Sequence, residues 1–231
     1  ITTDALYHHK SISFRSNPDK PFVVTIGAEL AAQFGGTKRY YEKGILIDSL
    51  TMKSPTRLKD FFKILFPSSG DGQTNEGDQA YYYGNHVGQW NLSAEYRFKD
   101  NSSVRGYFEW YFDDASGMGK FNGWDGLWGL EYKSGKKNWL SNVVLEYLDM
   151  TNQSGPLNWC PSDYNDPKLD IEATGADDYY NNYFYNGWAH YGLSNGTAMA
   201  KSLLYNTDGY MRYKHNRIRG VHLGASGYIA P

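Results

Sequence analysis

Cysteine is nearly absent from this chain of 231 residues, which contains only Cys160. A single cysteine excludes an internal disulfide and any metal site built from several thiolates. An excess of positive charge is also missing, because 23 Lys and Arg face 25 Asp and Glu, which leaves a formal net charge of −2. Without a basic run or a basic face, the sequence predicts no nucleic-acid partner.

Long apolar runs are missing as well, and the mean hydropathy is −0.65. No run approaches the roughly 18 residues of a membrane-spanning helix, although strands escape this test because only alternate residues of a strand face lipid. The 6 histidines are scattered along the chain, and it contains no nucleophile elbow, phosphate-binding loop or dinucleotide fingerprint. We therefore expect no metal site, no cofactor and no catalytic residue.

Alternation of apolar and polar residues is the feature that this chain has in abundance. Successive side chains of a β-strand point to opposite faces, so an alternating stretch predicts a strand with one apolar and one polar face. Such stretches lie at residues 6–15, 22–34, 87–98, 104–112, 126–133, 139–148 and 216–229. The five between residues 22 and 148 each carry one glutamate on the polar side, namely Glu29, Glu95, Glu109, Glu131 and Glu146.

The predicted strands are longer than the mean strand of soluble domains, which has about 5–6 residues. A tilted strand needs about 9–11 residues to cross a bilayer, and outer-membrane barrels have short turns at one end and long loops at the other. Here short turns at residues 100–103 and 134–138 contrast with long polar segments at 35–86 and 151–182. The pattern predicts an all-β fold, an antiparallel outer-membrane β-barrel or a large segment of one. A soluble antiparallel sheet with one buried and one solvated face alternates in the same way.

Domain organisation is simple, because no internal repeat or linker divides the chain. We expect a single β-barrel domain over residues 1–231. The chain opens at Ile1 without an initiator methionine or a signal peptide, and it stops at Pro231 just past a predicted strand, without a terminal aromatic residue. We therefore also expect it to be truncated at both ends.

One short helix is predicted on the first long loop, at residues 56–66. Leu58, Phe61, Phe62 and Leu65 recur at helical spacing, and prolines flank the segment. Proline near the start and just after the end is typical punctuation of a helix. This amphipathic helix either lies in a membrane interface or folds over the barrel mouth or onto its wall.

Several short motifs follow one another in a characteristic order: GNHVGQW at 84–90, WDGLWGLEY at 124–132, QSGP at 153–156, YYNNYFYNGWAHYG at 179–192 and HNRIRG at 215–220. In these motifs, from residue 25 to residue 227, the chain resembles the capsule assembly protein Wzi family in its Bacteroidetes form. The resemblance implies an outer-membrane β-barrel, surrounded by outer-membrane lipid, that helps to assemble or attach capsular or exopolysaccharide at the cell surface. It implies no catalytic residue.

The glutamates of the polar faces allow two interpretations. In a barrel they line the lumen, where arginines on neighbouring strands should neutralise them, because buried charges need partners. This lumen network comprises Glu29, Glu95, Arg97, Arg105, Glu109, Glu131 and Glu146. Alternatively, Glu95 and Glu109 on neighbouring strands are the paired carboxylates of a glycoside hydrolase, which lie about 5–10 Å apart.

A segment that mixes aromatic rings with amides is the candidate for glycan binding. Aromatic faces cover the C–H face of a sugar, and amides bond to its hydroxyls. The candidate residues are Asn182, Tyr183, Tyr185, Asn186, Trp188, His190 and Tyr191. The alternative is a membrane-interface girdle or a cluster that anchors the loop. The sequence thus predicts a non-enzymatic glycan-binding protein of the outer membrane, with a soluble β-sandwich carbohydrate-binding module and a glycoside hydrolase as alternatives.

Overall fold

A computed structural model describes residues 1–80, 82–113, 118, 122–153, 179–195 and 199–229. Most of the secondary structure in these residues is antiparallel β-sheet, with few helices, which confirms the predicted all-β class. Within the same residues, no helix combines the length and the apolar character needed to cross a membrane.

Most strands of the structure coincide with the alternating stretches of the sequence. The strands are β1 (Thr2–Arg15), β2 (Phe22–Glu42), β3 (Ile45–Lys53), β4 (Asn85–Arg97), β5 (Ser103–Phe112), β6 (Gly126–Lys133), β7 (Asn142–Asp149), β8 (Ala189–His190), β9 (Leu193–Ser194) and β10 (Arg219–Ser226). The helices are α1 (Leu58–Leu65), α2 (Glu76–Ala80) and a 3-10 turn (Leu203–Tyr205).

The main sheet is a meander in the order β1-β2-β4-β5-β6-β7-β10, with β3 paired to the far end of β2. Every pairing is antiparallel. Within the described residues β1 and β10 are the two edges, so this sheet is open. Among these residues no pairing joins the first strand to the last, so the structure does not show the closed form of the predicted barrel.

The first long loop contains more sheet than the sequence predicts. We expected the strand pattern to stop after Phe34, yet β2 continues to Glu42 and turns through Lys43 and Gly44 into β3. Both turn residues have positive φ, at 48° and 84°, which is typical of a tight hairpin. The prediction failed because Gly35 and Gly36 also have positive φ, at 66° and 87°, and disturb the period-two alternation.

The two faces of the sheet differ in chemistry along the whole meander. Register aligns Ile26, Leu92 and Phe108 on one face, and Phe108 stacks on Trp128 with ring centroids 3.9 Å apart. We call this the apolar face, and many of its side chains are exposed. The other face, the polar face, carries the strand glutamates.

The three buried clusters of the described residues lie near the end of the sheet where the long loops emerge. Helix α1 covers the apolar face there, where Ile64 and Tyr83 pack with Ala32 and Phe34 of β2. Residues 179–195 and 199–218, which we call the cap, cover the polar face at the same end.

Candidate functional site

The cap is a compact structure built around Trp188 and Tyr213. These two rings are buried with Ala200 and Leu203. The Tyr213 hydroxyl donates to Trp188 O and lies 2.9 Å from Ser194 Oγ. Asn181 and Tyr213 exchange two hydrogen bonds of 2.8 Å through the amide of Asn181 and the backbone of Tyr213. This internal bonding gives the cap a defined shape with little regular secondary structure.

Several contacts fix the cap to the sheet. Gln33 Nε2 of β2 donates to Gly187 O at 3.2 Å, and the ring of Tyr7 in β1 meets Trp188 edge-on at 6.0 Å. On the β5 side, Asn122 Nδ2 donates to the hydroxyl of Tyr179 at 2.9 Å. Burial raises the pKa of Tyr179 well above its ordinary value, so this hydroxyl stays neutral.

A cavity of about 310 Å³ lies between the cap and the polar face. Strands β1, β2 and β4 contribute His9, Glu29 and Gln89 to its lining, and β5 contributes Tyr111. The cap closes it from above with the aromatic pair at positions 179 and 180. Because the strands fix the floor while a separate segment forms the roof, the width of the cavity depends on how the cap is seated.

The floor of the cavity is a connected set of hydrogen-bonding groups. Asn91 Nδ2 donates to Glu29 Oε1 at 3.0 Å and accepts at Oδ1 from Gln89 Nε2 at 2.8 Å. His9 Nε2 lies 3.6 Å from the other carboxylate oxygen of Glu29. The side chains of His9 and Glu29 are 45% and 42% exposed. They therefore keep free bonding capacity toward the cavity.

Other charged side chains of the polar face lie closer to the short-turn end of the sheet, where they form pairs with one another. Arg97 Nε lies 2.8 Å from Glu95 Oε1, and Arg105 Nε lies 2.9 Å from Glu131 Oε2. Further along the sheet, the hydroxyl of Tyr107 donates to Glu146, whose second carboxylate oxygen lies 2.8 Å from His222 Nδ1. Close to the cavity, Tyr111 donates to Glu109 Oε2 at 3.0 Å. Thus all seven residues of the predicted network share one face, but they divide into separate small clusters.

The register does not bring Glu95 and Glu109 together. Glu95 lies opposite Arg105, whereas Glu109 lies opposite Asn91, four residues further along the strands. At about 3.4 Å per residue this offset is roughly 14 Å, which is longer than the spacing of glycosidase carboxylates. The alternative that pairs these two carboxylates is therefore wrong, because it rested on the spacing of neighbouring strands, whereas the register set by the short β4–β5 turn separates them along the strands.

The predicted glycan segment divides into buried and exposed members. Trp188 and Tyr185 are 4% and 5% exposed, and Asn182 accepts from the backbone N–H groups of Phe184 and Tyr185. Asn186 bonds to the backbone of Thr2 in β1. Three members remain accessible, namely Tyr183, His190 and Tyr191. Glycan contact stays a prediction for the segment, and the buried members hold the cap in place.

Most of the cavity lining was not predicted from the sequence. Glu29 was a predicted site residue, whereas His9, Gln89, Tyr111 and Tyr180 were not. A short turn joins β4 to β5. The pairing of Gln89 with Tyr111 can therefore be predicted by counting equal numbers of residues along both strands from that turn. The pairing of Gln89 with Glu29 spans the long first loop, and nothing local in the sequence fixes it.

Comparison of the chain with models of protein families, with curated proteins and with solved structures gave no match.

Proposed function

We propose that this chain forms part of the wall of an outer-membrane β-barrel and binds capsular or exopolysaccharide at the cell surface without cleaving it. The observation that carries the proposal is the division of one long meander into an exposed apolar face and a capped, hydrogen-bonding polar face. In such a wall, the edge strands β1 and β10 would pair with further strands, because lipid does not tolerate an open edge.

Two aromatic rows on the apolar face support the membrane part of the proposal. Phe22, Tyr96 and Tyr132 form a row across the sheet at its short-turn end. Trp90 and Trp110 are paired toward the other end. Tyr96 follows Trp90 by six positions, which corresponds to about 20 Å of strand. Outer-membrane barrels carry an apolar band about 25 Å tall between two aromatic girdles. A strand tilted by about 40° rises only about 15 Å over this distance, so the two rows lie within the height of such a band.

The cavity supports the glycan part of the proposal. Its hydrogen-bonding floor of His9, Glu29 and Gln89 matches the hydroxyls of a sugar, and the rings of Tyr111 and Tyr180 offer apolar surface to its C–H groups. Sugars are recognised by this combination of a few placed polar groups and aromatic walls. Binding without cleavage is proposed because Glu29 bonds to an amide and, among the residues that the structure describes, no second carboxylate lines the cavity.

Titration of purified surface polysaccharide against the protein in detergent tests the glycan part. We expect Glu29→Gln to weaken binding roughly tenfold, because a hydrogen bond to a charged group contributes about 1.5–3 kcal/mol and a neutral one about 0.5–1.5 kcal/mol. Glu146→Gln is the matched control, since it makes the same change on the same face outside the cavity. Equal binding by both variants, or a polysaccharide that becomes shorter during the titration, would contradict the proposal.

The membrane part is tested by near-UV circular dichroism with and without detergent. A fixed aromatic signal that requires detergent or lipid is the expected result. A fully folded, monodisperse chain in plain buffer would favour a soluble carbohydrate-binding sheet instead.

A further inference from the structure

One side of helix α1 packs against the apolar face and holds the helix there. Ile64 is fully buried against Tyr83 and Phe34. The ring of Phe61 meets His8 of β1 edge-on, with centroids 5.4 Å apart. Lys10, also on β1, donates from Nζ to Ile64 O at 2.7 Å and to Leu65 O. A strand side chain thereby satisfies carbonyl groups that the end of a helix leaves without a partner.

Three polar side chains of the apolar face, His8, Lys10 and His86, lie beneath this helix and the segment that follows it. His8, Ala32 and His86 form one row across β1, β2 and β4, and His86 Nε2 lies 2.9 Å from Tyr83 O. On β1, Lys10 lies two residues closer than His8 to the short-turn end of the sheet, opposite Leu30 of β2. A face that meets lipid does not tolerate uncovered polar groups, so the helix separates these groups from the surroundings.

The outer side of α1 is apolar and uncovered. Leu58, Phe62 and Phe66 are 76%, 51% and 70% exposed. Along β1 the same surface continues with Ile12 and Phe14, which are also exposed. Lys10 lies between the helix and these two residues, but its amino group is bonded to the carbonyl groups of Ile64 and Leu65, so exposed apolar side chains continue from the helix onto the sheet.

Charged side chains occupy only one flank of the helix. Lys59 and Lys63 lie 2.8 and 3.4 Å from Asp71, which Arg57 also contacts at 3.0 Å. The hydrogen bond from Lys59 is the main reason that the pKa of Asp71 falls well below its ordinary value. An apolar sector bordered by lysines is typical of helices that lie in a membrane interface.

We propose that α1 lies in the headgroup region of the membrane, with Leu58, Phe62 and Phe66 inserted among the acyl chains and Lys59 and Lys63 at the aqueous boundary. The proposal rests on the proposed function, because it requires lipid around the apolar face. Lipid is the partner that covers the exposed surface of the helix, because this surface continues onto the apolar face, which lies between the two aromatic rows. The helix would then mark the membrane boundary at the long-loop end of the sheet.

Depth-dependent quenching of single fluorescent labels tests this placement. In a Cys160→Ser background, Phe62→Cys, Lys59→Cys and Leu130→Cys each receive a nitrobenzoxadiazole label. The proteins are reconstituted into phosphatidylcholine vesicles that contain a phospholipid with a nitroxide near its headgroup. The label at position 62 reports the apolar side of α1, position 59 is the matched control on its polar flank, and position 130 reports the apolar face of the sheet.

The expected result is a loss of emission of about twofold or more at position 62 with nitroxide lipid, because interfacial helices bury their apolar side about 5–10 Å deep. Iodide in the water should quench position 59 and spare position 62. Lipid quenching at position 130 but not at 62 would overturn the placement of α1 and leave the proposed function standing. Lipid quenching at neither position would overturn both. Protection of position 62 from iodide without vesicles would assign the helix to a second copy of the chain and also overturn the placement.

Discussion

Replacement of Trp188 by alanine tests whether the cap depends on one buried ring. The ring is 4% exposed and packs with Ala200, Leu203 and Tyr213 of the cap and with Tyr7 of the sheet. Truncation of a buried Trp to Ala costs about 3–5 kcal/mol. Because the contacts of the ring are mostly within the cap, we expect the loss to appear as opening of the cap and not of the meander.

Amide hydrogen exchange measures this opening residue by residue. The N–H groups of Asn195 and Leu204 donate to Trp188 O and Gly192 O at 2.8 and 2.9 Å, and they report the cap. A loss of about 3–5 kcal/mol corresponds to exchange that is roughly a hundredfold to a few thousandfold faster, since about 1.4 kcal/mol is a factor of ten. Amides in β5 should keep the exchange rates that they have in the unaltered protein.

Two further variants make this prediction specific. Tyr191→Ala removes a ring that is 88% exposed in the same segment, so we expect little change in exchange. Trp188→Phe keeps an aromatic ring and should recover much of the protection. Unchanged exchange of Asn195 in Trp188→Ala, or equal acceleration in Tyr191→Ala, would refute the reasoning.

Two other predictions concern a buried carboxyl group and two strand glycines. Burial raises the pKa of Asp78 from 3.8 to about 6, so the folded protein should lose up to about 3 kcal/mol of stability as pH rises from about 4 to about 6. Asp78→Asn should flatten this slope in thermal unfolding followed against pH, and an unchanged slope would contradict the assignment. Gly126 has φ +139° and an added Cβ would lie 2.4 Å from Glu109 O, whereas Gly106 has open space. Gly126→Ala should therefore lower the unfolding midpoint clearly, while Gly106→Ala leaves it equal or slightly raised, and similar midpoints for both would refute the steric argument.

The strands of the meander were largely predictable because alternation is a local property. The stretch predicted at residues 126–133 coincides with β6, and the one predicted at 104–112 differs from β5 by one residue. Helix α1 was predicted within two residues at its start and one at its end. Where glycines with positive φ disturb the alternation, at Gly35 and Gly36, the prediction failed and β3 was missed.

The candidate site was predictable only in part. Alternation placed Glu29 on the polar face, but its neighbours in the cavity depend on pairings across long loops. Trp188 and Tyr191 stand three residues apart in one aromatic segment, yet one is buried and the other is almost fully exposed. Their local sequence does not distinguish them, because Trp188 packs against residues that are distant in the chain, namely Tyr213 in the cap and Tyr7 in β1.

By itself, therefore, the sequence determined the all-β class, the positions of most strands and the division of each strand into an apolar and a polar side. These follow from a period of two residues and from turn residues, which act over a few positions. Only the tertiary structure decided that the sheet is open, that α1 covers the apolar face and that the cap covers the polar face above a cavity. Those outcomes depend on contacts between distant segments, such as Lys10 with the end of α1 and Gln33 with Gly187, and no local pattern specifies such contacts.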